Sequence, residues 1–441
     1  MSTEELYRLY AGCGYAVTTD SRAIKGGEIF FAIRGENFDG NDYALKAVES
    51  GAAWAVVNED AGISGDKIIP VPDPFKALQD LAIWHRTHVR DGHLPVIGLT
   101  GTNGKTTTKE LIAAVLRCKY RVSATEGNLN NDLGVPLSLL KIRPDTELAV
   151  IEMGANHPDD IAKLVKVSRP DYGLITNVGK AHLLGFGSFE GVKAAKGELY
   201  RWLGSHEGSR IFLNMDDPDL VGMARKEPCH VWGYGLKYQE AEVLPTDSQN
   251  PFLTLRLHRG EEVHTKLVGA YNATNVLAAL ALGEFFGVKQ DDAIAAIEAY
   301  APVNKRSQMQ KTARNTLIVD AYNANPSSMG VALDNLAVMQ AESKFALLGD
   351  MRELGTDSLA EHQTVVRRLQ ALRIPCCLVG EEFSKALSSL GVTVGGNSLV
   401  RGWFADSEAL ASYLEANRIS DATVLIKGSR GIKMENVLPV L

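Results

Sequence analysis

The residues best suited to chemistry lie together in the stretch VIGLTGTNGKTTTKELIAAVL, which begins at Val96. Gly101, Thr102, Asn103 and Gly104 lead into Lys105, Thr106 and Thr107. A strand, a Gly-rich turn and a helix opening on Lys-Thr make a phosphate cradle. Backbone N–H groups and the positive helix end face the anion, Lys105 adds a point charge, and Thr106 can hold magnesium. A helix end alone contributes only about 0.3–1 kcal/mol toward an exposed charge, so the lysine and the metal carry much of the binding. The strict pattern places glycine at position 99, where this chain has Leu99 with Gly98 one residue early. A plain Gly-rich turn between strand and helix is the rival reading. A dinucleotide fingerprint is disfavoured, because GFGSFEG at Gly185 has the wrong spacing and no strand before it.

A magnesium ion on such a loop needs further oxygen ligands, and Glu152 at the end of the apolar run LAVIEMG is placed to supply one. A strand-end carboxylate facing water has the same spacing. His182 follows another strand, and by itself a lone histidine reads as structural. Lys196 in GVKAAKGELY reads alone as a solvated helix lysine, one turn from Lys193. Asn272 and Asn275 stand at a helix start, where capping is a rival to ligand contact. His85, His88 and His93 lack metal-ligand spacing and alternate with Arg86 and Arg90, which predicts a solvated helix end.

These residues must be positioned by alternating strands and helices. Residues 1–93 mix short strands with helices around 43–49 and 75–89, and RDGHLP closes this unit. Residues 94–302 follow a βα rhythm through ELAVIEMG and DYGLITNVG, become more β-like between Arg210 and Lys266, and end with a buried helix from Asn275. Residues 303–441 repeat the rhythm at NTLIVDAY, KFALLGD, IPCCLVG and ATVLIKGS, as expected for a smaller doubly wound sheet. The predicted class is three-domain α/β: a small N-terminal α/β domain, a central P-loop-type domain with a mostly parallel sheet, and a C-terminal Rossmann-like domain.

Bulk properties agree with a globular chain of several domains: 441 residues, 45% hydrophobic and 22% charged. The formal charge of -7 and the lack of a basic run argue against a nucleic-acid surface. Cys13, Cys118, Cys229, Cys376 and Cys377 are odd in number and include no C-x-x-C, as expected of reduced thiols. The start MSTEELYRLY is unlike a secretory signal, and the apolar segment from Asn275 is broken by Glu284 and too short to span a bilayer. A cytoplasmic location without membrane insertion is expected.

Taken in order, GTNGKTT, IEMGAN, NVGKAHL, KAAKGEL, GAYNATN, NKRSQ and DAYNANPSSM resemble the Mur ligases of bacterial cell-wall synthesis. The N-terminal TTDSRAIKGGEIFFAIRGENFDG extends the resemblance over nearly the whole chain and has no place in folylpolyglutamate synthetase, which shares the ATP domain. EGNLNNDLGVPLSLL, DAYNANPSSM and LLGDMRELG look like the branch that adds D-alanyl-D-alanine to a UDP-N-acetylmuramoyl tripeptide. The branch that adds the diamino acid carries an Asp-Asn-Pro-Arg motif not found in this chain, and remains the alternative within the family. A P-loop nucleotide switch is the alternative from another class.

The resemblance implies an ATP-dependent amide ligase that works through an acyl phosphate, with magnesium, in the bacterial cytoplasm, as a monomer. It implies that Lys105 and Thr106 serve ATP and its metal. Glu152 and His182 would serve a second metal beside Lys196 modified to a carbamate, which reverses the structural reading of His182. That carbamate needs a neutral amine, and a lysine with an ordinary pKa of about 10.4 is less than about 0.1% neutral at pH 7. Asn272, Asn275, Arg306 and Asp320 match positions around the nucleotide; Tyr271 stands where relatives often carry histidine. Ser21 and Arg22, with Asn128, Asn130 and Asn131, are implied for the UDP substrate. Tyr322, Asn323 and Asn325 are implied for the dipeptide, and a turn-forming role competes for them.

Overall fold

The computed structural model describes residues 1–246, 251–302 and 308–441. Its centre is a six-stranded sheet in the order His230–Tyr234, Arg210–Asn214, Tyr172–Ile175, Val96–Thr100, Leu148–Glu152, Val122–Ala124, parallel at every pairing. Val96–Thr100 and Leu148–Glu152 are buried along their whole length, as befits strands covered by helices on both faces. Gly98 allows that burial, since a Cβ there would meet the Met153 and Pro170 side chains at 2.8 and 3.0 Å.

One face of this sheet is covered by helix Lys105–Arg117 and by Ala273–Phe285, which is buried on nearly all sides. Both belong to one apolar core with Leu99, Leu111, Val276 and Leu282. The β-like stretch after Arg210 divides in two. Arg210–Asn214 and His230–Tyr234 extend the parallel sheet around helix Pro218–Ala224, while Glu242–Val243, Thr254–Arg256 and Glu262–His264 form a separate antiparallel ribbon.

The N-terminal sheet is parallel in the order Val17–Thr18, Ile29–Phe31, Trp54–Asn58, Ile68–Val71. The C-terminal sheet runs Gln308–Lys311, Asn315–Asp320, Ala422–Lys427, Lys344–Gly349, Cys376–Val379, Val400–Phe404. Only its first pairing is antiparallel. Val122–Ala124, Gln308–Lys311 and Val400–Phe404 were not expected: each lies at a sheet edge, where a strand needs less apolar character.

The expectation of a solvated helix end at the histidines is overturned at its first member. His85 is fully buried against Tyr10 and Tyr15, with Nε2 donating to the Ile142 carbonyl at 3.0 Å. Arg86 beside it is buried and binds the Ser168 and Arg169 carbonyls and Asp171. These two polar residues face neighbouring segments, not water, whereas His88 and His93 are exposed as expected. Among the described residues, no helix is long and apolar enough to cross a membrane.

Candidate active site

The phosphate loop lies between the end of Val96–Thr100 and helix Lys105–Arg117. Two glycines make its shape possible. Gly104 is left-handed, with φ 78, and a Cβ there would meet Asn275 Oδ1 at 2.9 Å; at Gly101 it would strike Thr176 Oγ1. Gly104 occupies the N-cap position with no side chain to cap the helix, so the first-turn N–H groups face outward for an anion.

The loop is held by the segment after the neighbouring strand. Asn103 N donates to Asn177 Oδ1 at 3.0 Å, while the Asn103 carbonyl accepts from Thr176 Oγ1 at 2.6 Å and Asn177 Nδ2 at 3.0 Å. Thr102 N donates to the Asn177 carbonyl, and its hydroxyl accepts from Gly179 N. Thr176 and Asn177 were missed as site residues, although the run ITNVGK ends a buried strand beside the loop. That position was the available signal.

Two groups of functional side chains flank the loop. In the first, Thr106 Oγ1 donates to Glu152 Oε2 at 2.9 Å. Glu152 is 1% exposed, its other oxygen accepts from Asn130 Nδ2 at 2.8 Å, and its N–H donates to Thr125 Oγ1. A buried hydroxyl beside a buried carboxylate is an oxygen donor set of the kind magnesium prefers. Among the described residues, no group of three or more His, Cys, Asp or Glu could hold a metal ion.

The second group is Lys105, His182 and Lys196, whose charges act on one another. The Lys105 ammonium donates to the Gly101 and Thr102 carbonyls at 2.8 and 3.1 Å. Lys196 closes helix Phe189–Lys196, is 2% exposed, and has its ammonium over the Phe186 ring. Burial, with Lys105 nearby, pulls its pKa down to about 7. His182 is lowered by burial too; Glu353 opposes that shift, while Lys105 and Lys196 add to it. Lys193, one turn back, is partly exposed and paired with Glu190 and Asp219.

Asn272 and Asn275 do not cap the helix start. Asn275 Oδ1 accepts from Thr108 Oγ1 at 3.0 Å, its Nδ2 donates to Asn272 Oδ1, and Asn272 Nδ2 donates to the Val268 carbonyl. This buried chain braces the phosphate-loop helix from behind. Asp320 ends its strand in register with Lys427, whose buried ammonium binds it. Lys427 was not anticipated; a lysine closing the apolar run ATVLIK was its sequence signal.

Asn325 caps helix Pro326–Val338 and donates from Nδ2 to Asn103 Oδ1 at 2.8 Å, which ties the C-terminal domain to the loop. Tyr322 has Arg430 over its ring, and the Asn323 carbonyl accepts from Lys427. Asn131 caps the turn into Gly134–Leu139, and Asn128 is exposed. Ser21 and Arg22 lie on the N-terminal domain, with Arg22 bound to both oxygens of Asp20. Arg306 lies outside the described residues.

Three family models match this chain in sequence: the Mur ligase family catalytic domain over residues 15–86, the Mur ligase middle domain over 99–283, and the Mur ligase glutamate ligase domain over 305–430. The chain belongs to the Mur ligase family. This Mur ligase is 36% identical to the UDP-N-acetylmuramoyl-tripeptide–D-alanyl-D-alanine ligase of Escherichia coli K12, over 97% of its own length and 93% of the relative's. Among solved structures it is similar to MurF from Acinetobacter baumannii, with a TM-score of 0.83 at 30% identity, covering 96% of this chain and 92% of that one. It is also similar to MurF ligase from Thermotoga maritima in complex with ADP, with a TM-score of 0.80 at 27% identity and 96% coverage of both chains. The predicted family and three-domain α/β class stand.

Proposed function

We propose that this Mur ligase joins D-alanyl-D-alanine to a UDP-N-acetylmuramoyl tripeptide, with conversion of ATP to ADP and phosphate. Residues 1–93 hold the UDP end, 94–302 hold ATP, and 303–441 close over ATP and the dipeptide. Support comes above all from the convergence of Lys105, the Thr106–Glu152 pair, His182 and Lys196 around one phosphate loop. The names of the full-length relatives supply the substrates.

A carboxylate is a poor electrophile at neutral pH. In the first step, the terminal carboxylate of the tripeptide attacks the γ-phosphorus of ATP, the bond to ADP breaks, and an acyl phosphate forms. Negative charge gathers between the two reactants, and Lys105 faces it from the loop. In the second step, the neutral amine of the dipeptide attacks the acyl carbon. The tetrahedral adduct expels phosphate and loses a proton, leaving the amide. The Asn103–Asn325 contact across the domain boundary helps exclude the water that would hydrolyse the acyl phosphate.

Thr106 and Glu152 would hold the magnesium of ATP, which screens the phosphates when bound. A second ion would fall to Glu152, His182 and Lys196, and an ammonium at Lys196 repels a cation. A carbamate there, made from the neutral amine and carbon dioxide, reverses that charge. Depressed basicity is what this modification requires. Asn272, Asn275, Arg306 and Asp320 are assigned to the adenosine end, directly or by bracing. Ser21, Arg22, Asn128, Asn130 and Asn131 are assigned to the UDP substrate, with Asn130 also steadying Glu152. Tyr322, Asn323 and Asn325 are assigned to the dipeptide. The five free cysteines suit a reducing cytoplasm, and the chain is taken to act as a monomer.

The test is the purified chain with ATP, UDP-muramoyl tripeptide and D-alanyl-D-alanine, with phosphate and product mass followed together. The expected result is one phosphate released per dipeptide added. Phosphate release that ignores both substrates would instead mark a nucleotide switch. Incorporation of a diamino acid into a UDP-muramoyl dipeptide would mark the sister ligase.

A further inference from the structure

From its place against His182, we infer that Glu353 is a positioning residue for the reaction, an inference that rests on the ligase reading above. It reaches from the C-terminal domain to fix the His182 ring and so couples domain docking to assembly of the metal site. One Glu353 carboxylate oxygen, Oε2, contacts His182 Nδ1. With Nδ1 turned to the carboxylate, Nε2 is the nitrogen left for a metal. Histidine ligands in metal sites are held in this way, by a carboxylate on the other ring nitrogen.

Both partners carry unusual backbone. His182 has φ 51 and Glu353 has φ 64, a left-handed region that costs a non-glycine residue roughly 1–2 kcal/mol. Two such residues face one another across a domain boundary. Strain of this kind persists only where the surroundings over-determine it, and it concentrates at functional sites.

The surroundings of Glu353 do hold it. Its neighbour Arg352 donates its N–H to Ser429 Oγ at 2.8 Å, Met351 N donates to the buried His362 Nε2 at 3.0 Å, and Asp350 accepts from Glu382 N and Phe383 N. The facing segment is seated just as firmly on the C-terminal domain. Leu184 N donates to the Glu353 carbonyl at 3.2 Å, Lys180 N donates to Ser327 Oγ at 3.1 Å, and the Lys180 ammonium pairs with Glu361 at 2.7 Å. A solvated ion pair would need none of this backbone docking. The seam therefore carries His182 into one orientation only when the two domains meet.

The test compares Glu353→Gln, Glu353→Ala and Glu353→Asp in bicarbonate buffer, with thermal melting as the folding control. Mn2+ binding to the ADP-loaded protein is titrated by electron paramagnetic resonance. The expected result for Gln and Ala is an about 10- to 100-fold weaker second Mn2+ site, with partial recovery in Asp. The expected kinetic result is a fall in kcat at near-constant KM for ATP. In the metal-free protein, 15N-labelled histidine should report Nδ1–H at His182 in wild type and lose that preference in Ala. Unchanged Mn2+ affinity in all three variants overturns the inference, even if kcat falls. A wild-type enzyme that makes no dipeptide product overturns the ligase reading instead, a different result from a different assay.

Discussion

The phosphate loop and the Ser21–Arg22 turn are both assigned to nucleotides, and they are built in opposite ways. At the loop, polar groups are buried and already bonded to one another: Asn103 is held through N–H, carbonyl and amide, and Glu152 through both carboxylate oxygens. At the turn, the Arg22 side chain is 88% exposed and its guanidinium is bound to Asp20. The first arrangement suits a transition state, because dipoles fixed in advance need no reorganisation when charge moves. The second suits recognition of a ground state, in which long side chains are ordered by the ligand at an entropic cost.

The contrast recurs within one short helix and is broken most sharply there. Lys193 and Lys196 lie one turn apart, the first partly exposed and doubly paired, the second buried with its pKa drawn down to about 7. Lys196→Ala should lower kcat by about 10²- to 10³-fold, the range seen when a preset electrostatic group is removed. Lys193→Ala should change it by less than about twofold. Small carboxylates added to Lys196→Ala should restore part of the rate if a carbamate is the working form. Steady-state rates for the two variants check this, and an active Lys196→Ala enzyme would remove Lys196 from the site.

The two lysines also show what the sequence could reveal. KAAK gives both the same helical spacing and the same polar type; only the tertiary packing of Phe186, Val192 and Ala195 buries one and leaves the other partly exposed and ion-paired. Family resemblance supplied the distinction that periodicity could not. The strands around the loop were legible because burial on both faces leaves an unmistakable apolar run, and Lys105, Thr106 and Glu152 were legible from their positions at strand and helix ends. For Asn272 and Asn275 the structure removes only the capping that rivalled nucleotide contact, because a helix-start asparagine has the same local signature whether it caps or braces. Glu353 stood within LLGDMRELG, but its contact with His182 was not legible, since that partner lies 171 positions away (353 minus 182) across a domain boundary.

The interior of the N-terminal domain offers a middle case, a buried group away from the reaction. Burial lowers the His85 pKa to about 4, and Arg143 adds to that shift, while the hydrogen bond to the Ile142 carbonyl opposes it. The unfolded chain therefore binds the proton more readily between about pH 6.5 and 4. The stability from keeping His85 neutral is full above about pH 6.5 and is lost as the pH falls toward 4. Stability should drop by about 2 kcal/mol between pH 7 and pH 5 from this residue alone. Urea unfolding of wild type against His85→Gln checks it: the gap between the two proteins should narrow or reverse in acid. A gap that stays constant with pH would mean that His85 does not titrate as a buried group.

The smallest effect is expected at the exposed end of the contrast. Arg22 holds the Asp20 carboxyl down to about 2 through its hydrogen bonds, yet both groups are in water, where such pairs contribute little. If Arg22 meets the UDP substrate, it must exchange Asp20 for a phosphate, so its net contribution is the difference between two solvated contacts. Arg22→Ala should therefore raise KM for the UDP substrate by about fivefold or less, leave kcat near its wild-type value, and reduce the sensitivity of KM to salt. A measured loss in kcat would place Arg22 with the preset groups at the phosphate loop. The division between regions that bind and regions that react would then run through the N-terminal domain, not beside it.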